Sequence, residues 1–165
     1  MPFQGSIRID QTTGIVGDII IDGPQRGTPA ILRSNSPLNN VIGRAFRYLS
    51  NSDTNVSADT SRTVFAGILA NSKVYATNGT ASGGTLAPTL VLPNETEAEL
   101  VTMTSGIVVE FSTSANIGDN VFWANDTGII AADSGDTLEN HTIIPRARVV
   151  RRNISSSGLG IIELT

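Results

Sequence analysis

Short apolar runs separated by turn-forming residues recur along this chain of 165 residues. The runs are rich in Val, Ile and Phe, and the clusters of Gly, Asn, Asp, Ser and Pro between them are typical of tight turns. Without long amphipathic helices between them, such runs cannot build parallel βαβ units. The pattern predicts an all-β domain, an antiparallel jelly-roll-like β-sandwich or barrel. The predicted strands are SIRID (6–10), IVGDIII (15–21), PAILRS (29–34), NNVIGRAFRYL (39–49), TVFAGILA (63–70), ELVTM (99–103), GIVVEF (106–111), IPRARVVR (144–151) and GIIELT (160–165), together with a hairpin over 117–132.

The length is that of one ordinary domain, so we expect a single β-domain over residues 1–165. Residues 77–97 are predicted to be an irregular linking segment, because Pro88 and Pro93 cannot donate to a central strand. The first residues have little reason to pack in the core, so residues 1–10 are predicted to form an extended N-terminal arm.

The segment 39–50 allows two interpretations. Its apolar residues fit one face of a helix, and a window this short does not exclude helical periodicity. We prefer a strand, because Gly43 interrupts the pattern and the neighbouring segments are strands. The residues of the helical face would be Val41, Ile42, Ala45, Phe46 and Leu49.

The predicted hairpin IGDNVFWANDTGIIAA has a first strand that is apolar on both faces. Successive side chains alternate across a sheet, so Trp123 points to one face and Phe122 to the other. The second face could be covered by more of this chain, by a second copy, by a sugar stacked on Trp123 or by another protein. Similar doubled faces recur, and we expect some of them to meet partners, because a soluble monomer rarely exposes so much contiguous apolar surface. They lie at 18–21, 107–109, 129–130, 149–150 and 161–162.

Charge and composition exclude several classes of protein. The net charge is −4, with 11 basic and 15 acidic residues, and no cluster of Lys and Arg is evident that would supply a positive field for phosphates. Nucleic acid is therefore not expected as a partner. The chain has no cysteine, so disulfides and thiolate chemistry are excluded. No signal peptide or apolar run of membrane-spanning length occurs, which predicts synthesis in the cytoplasm and no membrane partner.

Candidate chemical groups are few. His141 is the single histidine, and no Gly-Xaa-Ser-Xaa-Gly motif supplies a nucleophile for it. Adjacent glutamates on one extended segment cannot face each other across a substrate as a glycosidase requires, so Glu95, Glu97 and Glu99 are interpreted as a solvated strand edge.

Asp133, Asp136 and Glu139 depart from the calcium-loop pattern and are explained by a capped turn. Trp123 could stack on a sugar, although a single Trp in an apolar strand is more often part of a core or an interface. We therefore expect no enzyme activity, no metal and no cofactor.

A succession of stretches over nearly the whole chain resembles the structural cement, or head decoration, proteins of tailed bacteriophages. The stretches are GIVGDIIIDGPQRGTPAIL, NNVIGRAF, FAGILANSKVYA, TLAPTLVLPN, IGDNVFWANDTGII, IIPRARVVR and GLGIIELT. The resemblance implies a jelly-roll-like or barrel-like β-domain that forms homo-oligomers, dimers or trimers, on the outer surface of the phage head. It implies the major capsid protein as partner, synthesis in the host cytoplasm, a place in the virion, and no catalytic residues.

Residues expected at the capsid or subunit interface are Phe3 and Ile7 of the N-terminal arm, Arg26 and Arg33 near PAILRS, and Phe122 and Trp123 of the hairpin. Of the hairpin pair, one is expected in the core and the other at a subunit contact. Two alternatives stay open: a carbohydrate- or receptor-binding module of a phage tail, which would use Trp123, Tyr75 and acidic turns, and a small β-sandwich hydrolase, which would need His141.

Overall fold

The computed structural model describes residues 14–50, 52–60, 64–71, 91–151 and 153–165. These residues form nine strands and one short 3₁₀ turn, and none of the elements they form is a helix able to span a membrane. The expected all-β domain is confirmed. The strands are β1 (Arg26–Leu32), β2 (Ala45–Tyr48), β3 (Asn55–Ser57), β4 (Phe65–Leu69), β5 (Glu97–Phe111), β6 (Asn120–Ala124), β7 (Ile130–Asp133), β8 (His141–Arg151) and β9 (Gly158–Leu164), and the 3₁₀ turn is Pro37–Asn39.

The nine strands form one sheet that closes on itself twice. The first ring follows the order β1-β3-β2-β4-β5 and closes through a β1–β5 pairing. The second ring follows the order β5-β7-β6-β8-β9 and closes through a β5–β9 pairing. The pairings β1–β3 and β5–β7 are parallel and the other described pairings are antiparallel, so the sheet is mixed but mainly antiparallel.

Strand β5 belongs to both rings. Its first half pairs with β1 and β4, and its second half pairs with β9. The sequence predicted two strands here, but the structure has one continuous strand of 15 residues. The two halves meet at a register shift between Thr104 and Ile107, where the Gly106 amide donates to the Thr104 hydroxyl at 3.2 Å. A local irregularity therefore replaces the expected break.

The segment IVGDIII was expected to be a strand, and this prediction is wrong. Gly17 has a φ of 83°, a conformation that ends an extended run and favours glycine. The segment instead runs beside the second half of β5 through an isolated antiparallel bridge between Ile19 and Ile107. The Gly17 amide donates to the Val108 carbonyl at 2.8 Å, and the Ile20 amide donates to the Gly106 carbonyl at 3.0 Å.

Two apolar cores follow from the two rings. One core is built from the first ring and includes Leu32, Phe46 and Leu100. The other is built mainly from the second ring, but it also contains Ala45 and Ile68 from β2 and β4 of the first ring. Neighbouring residues on β2 and β4 thus enter different cores, so these strands are apolar on both faces because each face packs within the same chain.

Segment 39–50 contains strand β2, as preferred, and no helix. Its turn at Gly43 has a φ of 83°, and the Gly43 amide donates to the Leu69 carbonyl at 2.8 Å.

The predicted N-terminal arm (1–10) and residues 77–90 of the predicted linking segment lie outside the described residues. Of the remainder of that segment, Val91 forms an isolated bridge with Val41, and β5 begins at Glu97.

Candidate interaction surfaces

Trp123 lies where the two rings pack together. Its side chain is 0% exposed, and its ring stacks on Phe65 of β4 with centroids 5.4 Å apart. The guanidinium of Arg47 lies 5.9 Å from the centre of the indole, within the range of a cation–π contact. Both contacts come from the first ring, so the indole joins β6 to β2 and β4. Its faces are covered, which leaves no platform for a sugar.

Arg47 is itself buried, at 1% exposure. Its Nη2 donates to the backbone carbonyls of Ala58, at 2.9 Å, and Asn125. Burial lowers the pKa of Arg47, while Asp59 and Asp126 act in the opposite direction. An arginine stays cationic under such conditions, so this charge is held by carbonyls and an aromatic ring at the junction of the rings.

Phe122 was expected to share the hairpin with Trp123 on opposite faces, one in the core and one at a subunit contact. The structure buries both, with Phe122 at 1% exposure, opposite Ala131 of β7 and Ile143 of β8. The chain therefore covers both faces of β6 by itself. A subunit contact through either side chain would need that side chain at the surface, where the structure does not place it.

Arg26 begins β1 and Arg33 follows its last residue, so the two lie about 23 Å apart at the usual rise of an extended strand. The carbonyl of Arg26 accepts a hydrogen bond from the Thr102 hydroxyl at 3.2 Å. Arg33 forms an exposed ion pair with Glu95 at 2.9 Å. The structure does not bring these two arginines into one site, and exposed pairs of this kind contribute little to stability.

Three further candidate residues, Phe3, Ile7 and Tyr75, lie outside the described residues.

The loop after β1 presents an exposed leucine on a braced turn. Leu38, in the 3₁₀ turn, is 74% exposed, the largest value among the exposed large apolar side chains of the described residues. Asp59 holds the turn: its carboxylate accepts from the amides of Asn35 and Ser36, each at 2.8 Å, and from the Asn39 side chain at 3.1 Å. We name Leu38 and this Asp59-braced turn the Leu38 turn.

The electrostatics of Asp59 agree with this role. Burial raises its pKa, but hydrogen bonds from Ser36, Ser57, Asn35 and Asn39 outweigh that effect and hold the pKa below its ordinary value. The carboxylate is therefore ionised at neutral pH and keeps the turn in one conformation. Leu38 was not among the residues expected at an interface, although SNSPLNN contains the Asn, Ser and Pro residues of a turn around one apolar residue.

Three exposed arginines lie on β8, at positions 146, 148 and 151. No basic cluster was expected from the sequence, and this expectation is wrong. The segment IPRARVVRR contains four of the 11 basic residues within seven positions. The run was interpreted as an apolar strand because Ile144, Ala147 and Val149 are the residues that enter the core. We name Arg146, Arg148 and Arg151 the β8 arginine row.

A cavity of about 270 Å³ opens between the two rings. Its wall is mostly apolar, with Ile42, Phe111 and Ile130, and it also carries Arg44 and Glu110. Arg44 is engaged: its Nη1 donates to the Asn39 side chain at 3.1 Å and to the Thr127 carbonyl at 3.2 Å. Burial lowers the pKa of Arg44, and Glu110 acts in the opposite direction. The arginine thus ties the first ring to the β6–β7 turn.

The remaining candidate groups have local roles. Nδ1 of His141 lies 2.6 Å from the Glu139 carbonyl, within its own turn. Asp133 accepts from the Gly135 amide at 2.7 Å, as a capped turn requires. Glu97 and Glu99 are exposed on β5. Among the described residues, no group of three or more His, Cys, Asp or Glu side chains could hold a metal ion.

Known proteins resemble this chain over almost its full length. A family model described as "Structural cement protein (E217 gp24/Pam3 gp6)" matches residues 3–165. A chain from the solved structure "The capsid of Myoviridae Phage XM1" is similar with a TM-score of 0.59 and 15% sequence identity, and the match covers 100% of this chain and 98% of that chain. At this identity the second likeness shows a shared fold. None of the curated proteins searched matches the chain.

Proposed function

Since this chain belongs to the structural cement protein family, we propose that it binds the outer surface of a phage head and stabilises the contacts between neighbouring capsomers. As a capsid cement protein it is a structural component of the virion and associates with capsid proteins. The family match over residues 3–165 is the observation that carries the proposal. Binding alone meets this role, so no catalytic step, cofactor, nucleic acid or membrane is required.

A cement protein must contact two capsomers at once, and the geometry of the two rings supports this. The Leu38 turn belongs to the first ring and the β8 arginine row belongs to the second ring. Strand β5 runs through both rings, and its 15 residues span about 50 Å at the usual rise of a strand. The two surfaces are thus carried by different rings of one hydrogen-bonded sheet.

The surface also supports contact with partners. Six large apolar side chains of the described residues are exposed, and each could enter an interface with capsid protein or with another copy of the chain. Self-association as a dimer or trimer would multiply the contacts per particle, and linked weak contacts hold through their effective concentration. The exposed side chains are Ile15, Ile20, Leu38, Val64, Ile117 and Ile143.

Cementing follows from ordinary binding energetics. Packed DNA pushes the shell outward, and a protein attached to two capsomers opposes their separation with its binding free energy. An interface of about 800 Å² per partner is the usual size for a specific contact. Binding also favours the folded state by mass action, which compensates for the lack of disulfides.

The test uses phage heads that lack this protein. Purified protein is added, bound copies per head are counted, and the temperature at which the heads release DNA is measured. We expect saturable binding at hundreds of copies per head and a higher release temperature. A few copies per particle, located on tails, would instead indicate the tail module considered above, and no binding to heads would contradict the proposal.

A further inference from the structure

The β8 arginine row exists because β8 is irregular. In a regular strand Arg146 and Arg148 would share a face, and Arg151 would point to the opposite face. The core residues of β8 are Ile144, Ala147 and Val149, and a simple alternation cannot place all three inward. An irregularity at Arg146 resolves the conflict, and a second irregularity beyond Val149 changes the direction of Arg151.

The first irregularity is at Arg146. This residue has a φ of 58°, a left-handed conformation that costs a residue other than glycine some free energy. It adds one residue between the core side chains of Ile144 and Ala147, so that Arg146 is exposed. The carbonyl of Arg146 accepts a hydrogen bond from the amide of Thr165 at 3.2 Å, which holds the irregular backbone against the end of the chain.

The second irregularity is a register shift between Val149 and Arg151. Val149 is opposite Ile162 of β9, and Arg151, rather than Val150, is opposite Ile161. Arg151 therefore takes the outward position and lies on the same face as Arg148. Bulges in strands often serve to redirect a side chain, and here the two bulges place three arginines within about 15 Å along one strand.

The described residues provide no ion pair for any of the three arginines; the single ion pair among them joins Arg33 to Glu95. Two acidic residues lie near the row: Glu163 is opposite Arg148 in the register, and the carbonyl of Asp119 accepts from the Val149 amide at 3.1 Å. Exposed apolar residues adjoin the row on its N-terminal side, since Ile143 is 39% exposed and Pro145 is also exposed. Arginine among apolar side chains is typical of protein–protein interfaces.

We infer that the β8 arginine row binds a cluster of carboxylates on the capsid protein, a refinement that rests on the proposed function. Charge complementarity carries the inference. Three guanidinium groups that have no ion pair among the described residues, and that two bulges turn outward, fit carboxylates as bidentate donors. Nucleic acid is the weaker candidate, because the row spans one strand of a chain with net charge −4. A second copy is weaker as well, because a twofold contact centred on the row would oppose arginine to arginine.

The test compares binding to heads that lack the protein. The triple variant Arg146→Gln, Arg148→Gln, Arg151→Gln should bind at least tenfold more weakly than the wild type, and Arg146→Lys, Arg148→Lys, Arg151→Lys should recover part of the loss, because charge is restored without the planar fork. Raising the salt from about 0.05 M to about 0.5 M should weaken the wild type more than the Gln variant, because salt screens exposed charges. Glu97→Gln, which changes one exposed charge on β5 outside the row, is the control and should bind like the wild type.

Circular dichroism and urea unfolding establish that each variant folds. If the triple Gln variant is unfolded, the three single Gln variants are compared, and unchanged binding by all three overturns the inference. Equal head binding and equal salt dependence of the folded triple variant and the wild type would also overturn it. A triple variant that loses self-association while its head binding per chain is unchanged would assign the row to a second copy and would overturn the inference. A variant that loses binding to a DNA duplex but not to heads would overturn it as well. A wild type that binds no heads would contradict the proposed function itself, an outcome distinct from all of these.

Discussion

Trp123 of β6 stacks on Phe65 of β4, with ring centroids 5.4 Å apart and ring planes inclined by 26°. The two residues belong to different rings of the sheet, so this contact joins the rings through side chains, whereas β5 joins them through backbone hydrogen bonds. The relative position of the two rings, and thus of the surfaces they carry, therefore depends in part on this aromatic pair.

Replacing Trp123 by Ala should destabilise the fold by about 3 to 5 kcal/mol, the usual cost of truncating a large buried aromatic side chain. Phe122→Ala should cost a similar amount, because both side chains are buried. Urea unfolding measures both variants, and Val64→Ala, at a 53% exposed position, is the control that should change stability by less than about 0.5 kcal/mol. A loss of less than about 1 kcal/mol for Trp123→Ala would contradict the assigned junction role.

The Leu38 turn predicts a variant that affects binding without affecting folding. Leu38→Ala should leave the urea midpoint unchanged, because the side chain is 74% exposed. If this leucine enters a capsid pocket, its truncation should weaken head binding about tenfold or more, since burying a leucine contributes about 1.5 to 3 kcal/mol. Co-sedimentation with heads measures the loss, and circular dichroism shows that the variant is folded. Wild-type affinity in Leu38→Ala would remove the turn from the contact.

The lowered pKa of Asp59 predicts a pH dependence of stability. Because the folded state holds this pKa below its ordinary value near 3.8, the unfolded state binds more protons in that range, and stability rises with pH. The contribution is complete above the ordinary pKa and is lost as the pH falls through the lower pKa of the folded state. The wild type should therefore exceed Asp59→Asn in stability by a constant amount at neutral pH, and the difference should shrink below about pH 4.

Urea unfolding of both proteins at a series of pH values measures this difference. Comparing the two proteins at each pH isolates the contribution of the Asp59 carboxylate. A difference that stays constant down to the lowest pH at which both proteins fold would show that the ionised carboxylate does not hold the turn.

The N-terminal arm gives a prediction that rests on sequence alone. Phe3 and Ile7 precede the described residues, and the proposal is that this segment binds a capsid groove or a neighbouring subunit by strand addition. Deleting residues 2–6 should leave the urea midpoint of the isolated protein nearly unchanged and weaken head binding at least tenfold, or about 1.4 kcal/mol. Equal head binding by the truncated and full-length proteins would leave the contact to the described surfaces.

Local patterns in the sequence were sufficient to predict the class of fold and many of the strands and turns. Alternation and turn residues were sufficient to predict the β6–β7 hairpin and the opposite directions of Phe122 and Trp123, because these depend on neighbours in the chain. The succession of motifs was sufficient to indicate the family. The sequence could not show what covers Phe122 and Trp123, because their burial depends on strands that are distant in the chain and pack against the hairpin.

How the strands close, and which side chains reach the surface, depend on contacts between residues far apart in the chain. Strand β5 serves both rings because β1 and β9 pair with its two halves, and those pairings join residues far apart in sequence. Arg146 and Arg151 face outward because of bulges that a strict period of two does not predict. A bulge forms where the registers of two neighbouring strands must be reconciled, so the placement of these arginines is a property of the assembled sheet.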